Sequence, residues 1–106
     1  MTRLLLIGMV LLAGPAFAAS GPELWTQHCA SCHGKDGSGS TAMGKKIGVK
    51  DYRDPKVQTA FSDGEMERAI KEGVKENGKE KMKAFGSRLS DDDVKALVAY
   101  IRTLKK

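Results

Sequence analysis

The chain has 106 residues, 29% of them charged and only 6% aromatic, and a formal net charge of +5 at pH 7. That length holds a single small domain. The basic excess forms no helix stripe and carries no interleaved aromatic set, which excludes the usual footprint of a nucleic-acid binder.

Residues 1–18 read as a leader peptide, with a charge at Arg3, an apolar run from Leu4 to Leu12, a Gly14-Pro15 break and the small-x-small triplet Ala16-Phe17-Ala18. Cleavage is expected after Ala18, leaving residues 19–106 as the domain. The apolar run is short for a hydrocarbon core of about 30 Å, so retention as a membrane anchor is the lesser reading.

Ser20-Gly21-Pro22-Glu23 predicts a capping box that opens a first helix running through Leu24 and Trp25 into the cysteines. Gly34 to Gly48 is rich in glycine, serine and lysine, has no period and reads as a loop. Asp54-Pro55 has the form of an N-cap followed by a first-turn proline, starting a short helix with Val57 and Phe61. Ser62-Asp63-Gly64-Glu65 is a second capping box, followed at helical spacing by Met66, Ala69, Ile70 and Val74 as a core stripe. Glu76 to Arg88 reads as irregular. Ser90 caps a last helix with three acids in its first turn, a buried face of Val94, Leu97, Val98, Ile101 and Leu104, and Lys105-Lys106 at its negative end. No segment alternates with period two, so the fold class is all-α.

The chemistry lies in Cys29-Ala30-Ser31-Cys32-His33, two thiols three positions apart followed at once by an imidazole. This is the attachment signature of a c-type haem, covalently held and one per chain. On one helical turn these positions share a face, so Cys29 and Cys32 meet the two vinyl groups along one edge while His33 supplies an axial ligand. Zinc normally takes four such ligands, and the chain has two cysteines and two histidines with no distant second pair. A thioredoxin-type thiol pair would sit near a βαβ pattern, and a plain structural disulfide leaves His33 unexplained. A buried macrocycle would also fill an interior that so few aromatic residues cannot fill alone.

A low-spin carrier needs a ligand opposite His33, and a thioether there favours the ferrous state. Met66 belongs to a helical apolar stripe and reads as core. Met43 follows His33 by only ten positions, in the loop expected on the proximal side. Met82 sits between helices, where the chain can wrap to the opposite face, so the metal ligands read as His33 and Met82. His28, next to Cys29, is held near the attachment edge and reads as a packing residue.

Cys29 to Gly34 with the glycines that follow, Met82-Lys83-Ala84-Phe85, and Leu89-Ser90 through Leu97-Val98-Ala99-Tyr100-Ile101 together resemble a small bacterial class I c-type cytochrome over nearly the whole chain after the leader. The resemblance implies the compact cytochrome c fold with haem in the core and first and last helices crossing, Gly21 and Trp25 meeting Leu97, Tyr100 and Ile101. It also implies a periplasmic carrier of single electrons between redox proteins, without catalytic residues, exported because haem attachment occurs outside the inner membrane. Two positions depart from the pattern. Lys83 stands where many relatives have proline after the methionine, and Gly44-Lys45-Lys46-Ile47 lacks the proline whose neighbourhood often accepts the Nδ1 proton of the proximal histidine.

Gly39 to Lys45 matches the start of a phosphate-binding loop, but Lys46 replaces the required hydroxyl residue and no strand precedes it, which excludes a nucleotide. Lys79, Lys81 and Lys83 flank Met82, and with Lys71 and Lys75 they read as a basic docking face for acidic redox partners or as an ordinary solvated surface. Membrane contact is expected only through partner complexes. Tyr52 and Arg53 are candidates to hydrogen-bond the propionates. Were Met82 to stay off the iron, the alternative is an open-site haem protein with peroxidase or gas-sensing activity.

Overall fold

The computed structural model describes Gly8 and residues 19–106, so the leader expected at residues 1–18 lies, Gly8 apart, outside the described residues. In chain order the elements are α1 (Gly21–His28), α2 (Ala30–His33), α3 (Ala42–Ile47), α4 (Pro55–Ala60), α5 (Asp63–Glu72), β1 (Val74–Glu76), β2 (Lys79–Met82) and α6 (Asp91–Thr103). The domain is mainly helical, as expected, with one small antiparallel hairpin added.

Local chemistry explains the helix starts. Ser62 and Ser90 both cap through full capping boxes, closed by Glu65 and Asp93 respectively. Ser20 forms only half of the expected box: its hydroxyl accepts from the Glu23 N–H at 3.4 Å, without the return bond. Asp54 accepts from the Lys56 N–H at 2.9 Å, ahead of Pro55 at the first helical position.

Three expectations are corrected. α5 ends at Glu72, so Val74, expected on its core stripe, lies in β1 instead. The segment Gly34–Gly48 contains α3, capped at one end by the Thr41 hydroxyl and closed at the other by Gly48 with φ 74°. Only six residues long and without apolar periodicity, it draws its stability from the tertiary contacts around Gly44. The segment Glu76–Arg88 contains the turn and second strand of a hairpin that starts at Val74, with Asn77 and Gly78 both at positive φ. Asn-Gly is the strongest short-range hairpin signal, but strands of three and four residues are too short to display alternation.

The core is one buried cluster: Leu24, Trp25 and Cys29 from the first helical stretch, Met66 and Ile70 from α5, Phe85 and Leu89 from the segment after β2, and Val94, Leu97, Val98 and Ile101 from α6. Leu104 is only partly buried. α1 crosses α6 at Gly21, where a Cβ would lie 2.7 Å from the Ala96 carbonyl oxygen and 3.0 Å from the Tyr100 Cβ. Trp25 packs beside Tyr100, with ring centroids 5.8 Å apart. The expected crossing is therefore present, centred on Ala96 and Tyr100 with Leu97 and Ile101 beneath in the shared core. Among the described residues, no helix is long and apolar enough to cross a membrane.

Candidate haem site

The helix that starts at Gly21 breaks at Cys29 and resumes as the single turn α2, so Cys29, Cys32 and His33 come from one corner of the fold. Both cysteines are free thiols. Burial, with the neighbouring Cys32 adding to it, pushes the Cys29 thiol up to about 11, which keeps it protonated at neutral pH. The corner is braced by α3: the Thr41 hydroxyl donates to the Cys32 carbonyl at 2.6 Å, and a Cβ at Gly44 would collide with the same oxygen. Only a glycine lets α3 approach so closely.

His33 is one corner of an aromatic triangle: Trp25 lies 5.5 Å away between centroids, Tyr52 stacks on the imidazole at 5.3 Å with planes 29° apart, and Trp25 and Tyr52 meet each other edge-on at 6.4 Å. Burial lowers the pKa of His33, so the imidazole is neutral and its lone pair is free for a metal. Its Nδ1 is buried and has no hydrogen-bond partner. The carbonyl of Gly34, directly after it, accepts instead from Trp25 Nε1 at 3.0 Å and from the Gly37 N–H. The missing loop proline thus corresponds to an imidazole that no polar group orients.

Met82 ends β2, half-buried, and packs against the cluster that holds Cys29. Its neighbourhood is tied to α5: Gly73 lies against the Met82 carbonyl, Phe85 N–H donates to the Ile70 carbonyl at 2.9 Å, and Gly86 N–H to the Lys71 carbonyl at 3.1 Å. Met66 is buried in the core and Met43 is exposed on α3, each as its sequence context required of it or, for Met43, on a helix rather than a loop. His28 packs edge-on against Phe85, at 5.8 Å between centroids.

Tyr52 and Arg53 take different places from each other. Tyr52 faces the imidazole, while Arg53 makes a bidentate pair with Asp51, both bonds 3.0 Å, and lies 3.6 Å from Asp36. Gln58 is a residue that sequence reasoning passed over. On the short helix expected to include Val57 and Phe61 it is the buried side chain, 4% exposed, while Phe61 is the residue after the last helical one and is exposed. No local pattern marks such a position.

Two thiols three positions apart and a half-buried imidazole within five residues, plus a thioether against the same core, form a donor set that fits a covalently bound haem. Known proteins agree. Residues 16–101 match the family model described as cytochrome C oxidase, cbb3-type, subunit III. The chain is 35% identical to cytochrome c-554(547) of Halothiobacillus neapolitanus, over 83% of its own length and 97% of that protein's. It is equally 35% identical to cytochrome c6 of a Picosynechococcus species, covering 95% of this chain and 92% of the relative. The solved structure of KustC0563 c-type cytochrome superposes with a TM-score of 0.75 at 36% identity, spanning 83% of this chain and all of that one. Likeness this complete, in fold and along the chain, leaves a plain conclusion: this protein belongs to the c-type cytochromes, which carry electrons on a covalently attached haem.

Proposed function

We propose that the chain is an exported monohaem carrier passing single electrons between redox proteins, with Cys29 and Cys32 joined to the haem and His33 and Met82 holding its iron. The observation that carries this reading is the Cys29–His33 corner, where two cysteines and a half-buried imidazole come from one turn beside the core. When bound, the haem supplies the Fe(III)/Fe(II) couple. The chain's own residues do the rest. The Cys29 and Cys32 thiols add across the vinyl groups and make loss of the cofactor a covalent event. His33, stacked on Tyr52 with Trp25 alongside, offers its lone pair from a plane those rings set. The apolar cluster of Leu24, Met66, Ile70, Phe85 and Leu97 excludes water, which lowers reorganisation when charge changes.

Residues 19–106 form the carrier domain in this reading and residues 1–18 the cleaved leader that sends it to the periplasm. Ala19, the first residue after the proposed cleavage point, already packs against the core. Material matured in a cytochrome-assembling host is expected to have the mass of residues 19–106 plus one haem, and a low-spin spectrum with a sulfur-to-ferric charge-transfer band. The bare peptide mass would overturn the proposal. High-spin iron that promptly binds carbon monoxide would instead favour an open site.

The partner surface is the hairpin side of the molecule. In the β1–β2 register Lys75 faces Glu80 and Glu76 faces Lys79, and Lys71 bridges Asp91 at 2.7 Å. Lys81 and Lys83, on either side of Met82, oppose no carboxylate in this register, and Lys83 Nζ lies 5.2 Å over the Phe85 ring. Such charges beside the methionine segment would steer acidic partners. Reversing both to glutamate is expected to slow reduction by an acidic partner about tenfold at low salt and to flatten the salt dependence. An unchanged rate and slope would remove the docking face.

A further inference from the structure

The imidazole of His33 is half-buried, and its Nδ1 atom is enclosed without a hydrogen bond. Ligating histidines are ordinarily oriented by a partner on the second ring nitrogen. Here the plane of the ring is set by its two aromatic neighbours, so whatever holds those neighbours orients the ligand. Trp25 is fixed by the α1–α6 crossing and by its Nε1 bond to the Gly34 carbonyl. Tyr52 lies on a connecting segment with no helix or strand of its own. Its backbone is tethered at two points. The N–H donates to the Gly37 carbonyl at 2.8 Å, and the carbonyl accepts from Gln58 Nε2 at 2.7 Å.

We propose that Gln58 is a positioning residue for the proximal ligand, holding Tyr52 against the His33 imidazole and thereby setting the plane of that ring. The burial of Gln58 supports it. An amide at 4% exposure is costly unless its groups are paired, and every one of them is. The same Nε2 also donates to the Ile101 carbonyl at 2.8 Å, near the C-terminal end of α6, and Oε1 accepts from Arg102 Nη1 at 3.1 Å. Arg102 is itself braced: Nε donates to Asp63 at 2.8 Å, Nη2 to the Phe61 carbonyl at 2.7 Å, and Nη1 to the Gln58 carbonyl. Gln58 thus links the last helix to the one loop residue stacked on the ligand. A leucine of similar volume would fill the site but hold neither carbonyl.

The inference rests on His33 as an iron ligand, and the experiment separates the two claims. In the oxidised holoprotein, the order and spread of the hyperfine-shifted haem methyl signals in the proton NMR spectrum report the plane of an axial imidazole. Gln58→Leu is expected to change that spread, Tyr52→Leu to change it likewise, and the double variant to change it no further than Tyr52→Leu alone. Arg102→Met, which loosens the same region but leaves the Tyr52 carbonyl its donor, is expected to lower the melting temperature and leave the spread in place. Should Gln58→Leu fail to fold, Gln58→Glu keeps the length and the pairing with Arg102 but lacks the amide hydrogens, and the same change is expected. An unaltered spread in the Gln58 variant, or an equal change in Arg102→Met, overturns the proposal. Parent spectra without a histidine-ligated signature would instead overturn the ligand assignment beneath it.

Discussion

Met82→Ala is expected to erase the sulfur-to-iron charge-transfer band of the oxidised protein and to lower its reduction potential by on the order of 100 mV, inside the roughly 0.8 V that axial ligand choice spans. The reasoning is one of softness: a thioether stabilises ferrous iron over ferric, and alanine leaves water or nothing in its place. Met82 is suited to the role by position. It closes β2, half-buried, where the chain leaves the hairpin and turns back towards α6, and it packs on the cluster that includes Cys29. A mere gap-filling methionine would behave differently. Its loss would lower stability, by up to about 2 kcal/mol for a partly buried side chain, and leave the spectrum alone. Persistence of both band and potential would therefore move the ligand elsewhere, with Met43, 47% exposed on α3, the next side chain to replace.

Gly73→Ala is expected to destabilise the protein by about 3 kcal/mol and to weaken the same absorption band. Gly73 closes α5 with φ 77° and ψ −178°, a region that is essentially restricted to glycine. An added Cβ would also lie 2.5 Å from the Met82 carbonyl oxygen, 2.9 Å from the Ala84 nitrogen and 3.1 Å from the Lys83 carbonyl carbon. All three are backbone atoms and cannot swing aside as a flexible side chain would. The strand end bearing Met82 must move, so the stability loss comes with a spectral one. For a domain of this size the melting temperature is expected to fall by about 10–20 °C. Gly78→Ala supplies the comparison: φ is 75° there but nothing lies within 4 Å of the added carbon, so it carries turn strain alone and leaves the band intact. A Gly73→Ala protein that melts and absorbs like its parent would show that α5 does not position Met82.

Met82 and the hairpin also show how sequence and structure divide the work. That Met82 lies outside any helix was legible, since no apolar period runs through Glu76–Arg88 and Gly73 and Gly78 punctuate it. That it terminates a strand was not, because strands of three and four residues are too short for alternation to rise above chance. Asn77-Gly78 carried the information in two residues, and only the pairing Val74 with Met82 made it matter. α3 is the converse case. Read as part of a loop, this six-residue helix with glycine inside it exists only because the Cys32 carbonyl and the Thr41 hydroxyl receive it.

The sequence alone determined what is encoded by neighbours along the chain: the attachment motif Cys29–His33, the caps Ser20, Asp54, Ser62 and Ser90, and the stripes of α5 and α6, because caps, helical faces and covalent chemistry act over three or four residues. Only the tertiary structure decided which residues surround the imidazole. Trp25 and Tyr52 meet His33, and Gln58 holds Tyr52 to α6, through contacts that span six to forty-three positions. Such contacts depend on where α1, α4 and α6 cross. The burial of Gln58 is decided there too, since an amide becomes worth enclosing only once the carbonyls of Tyr52 and Ile101, far apart in the chain, are brought within reach of one nitrogen.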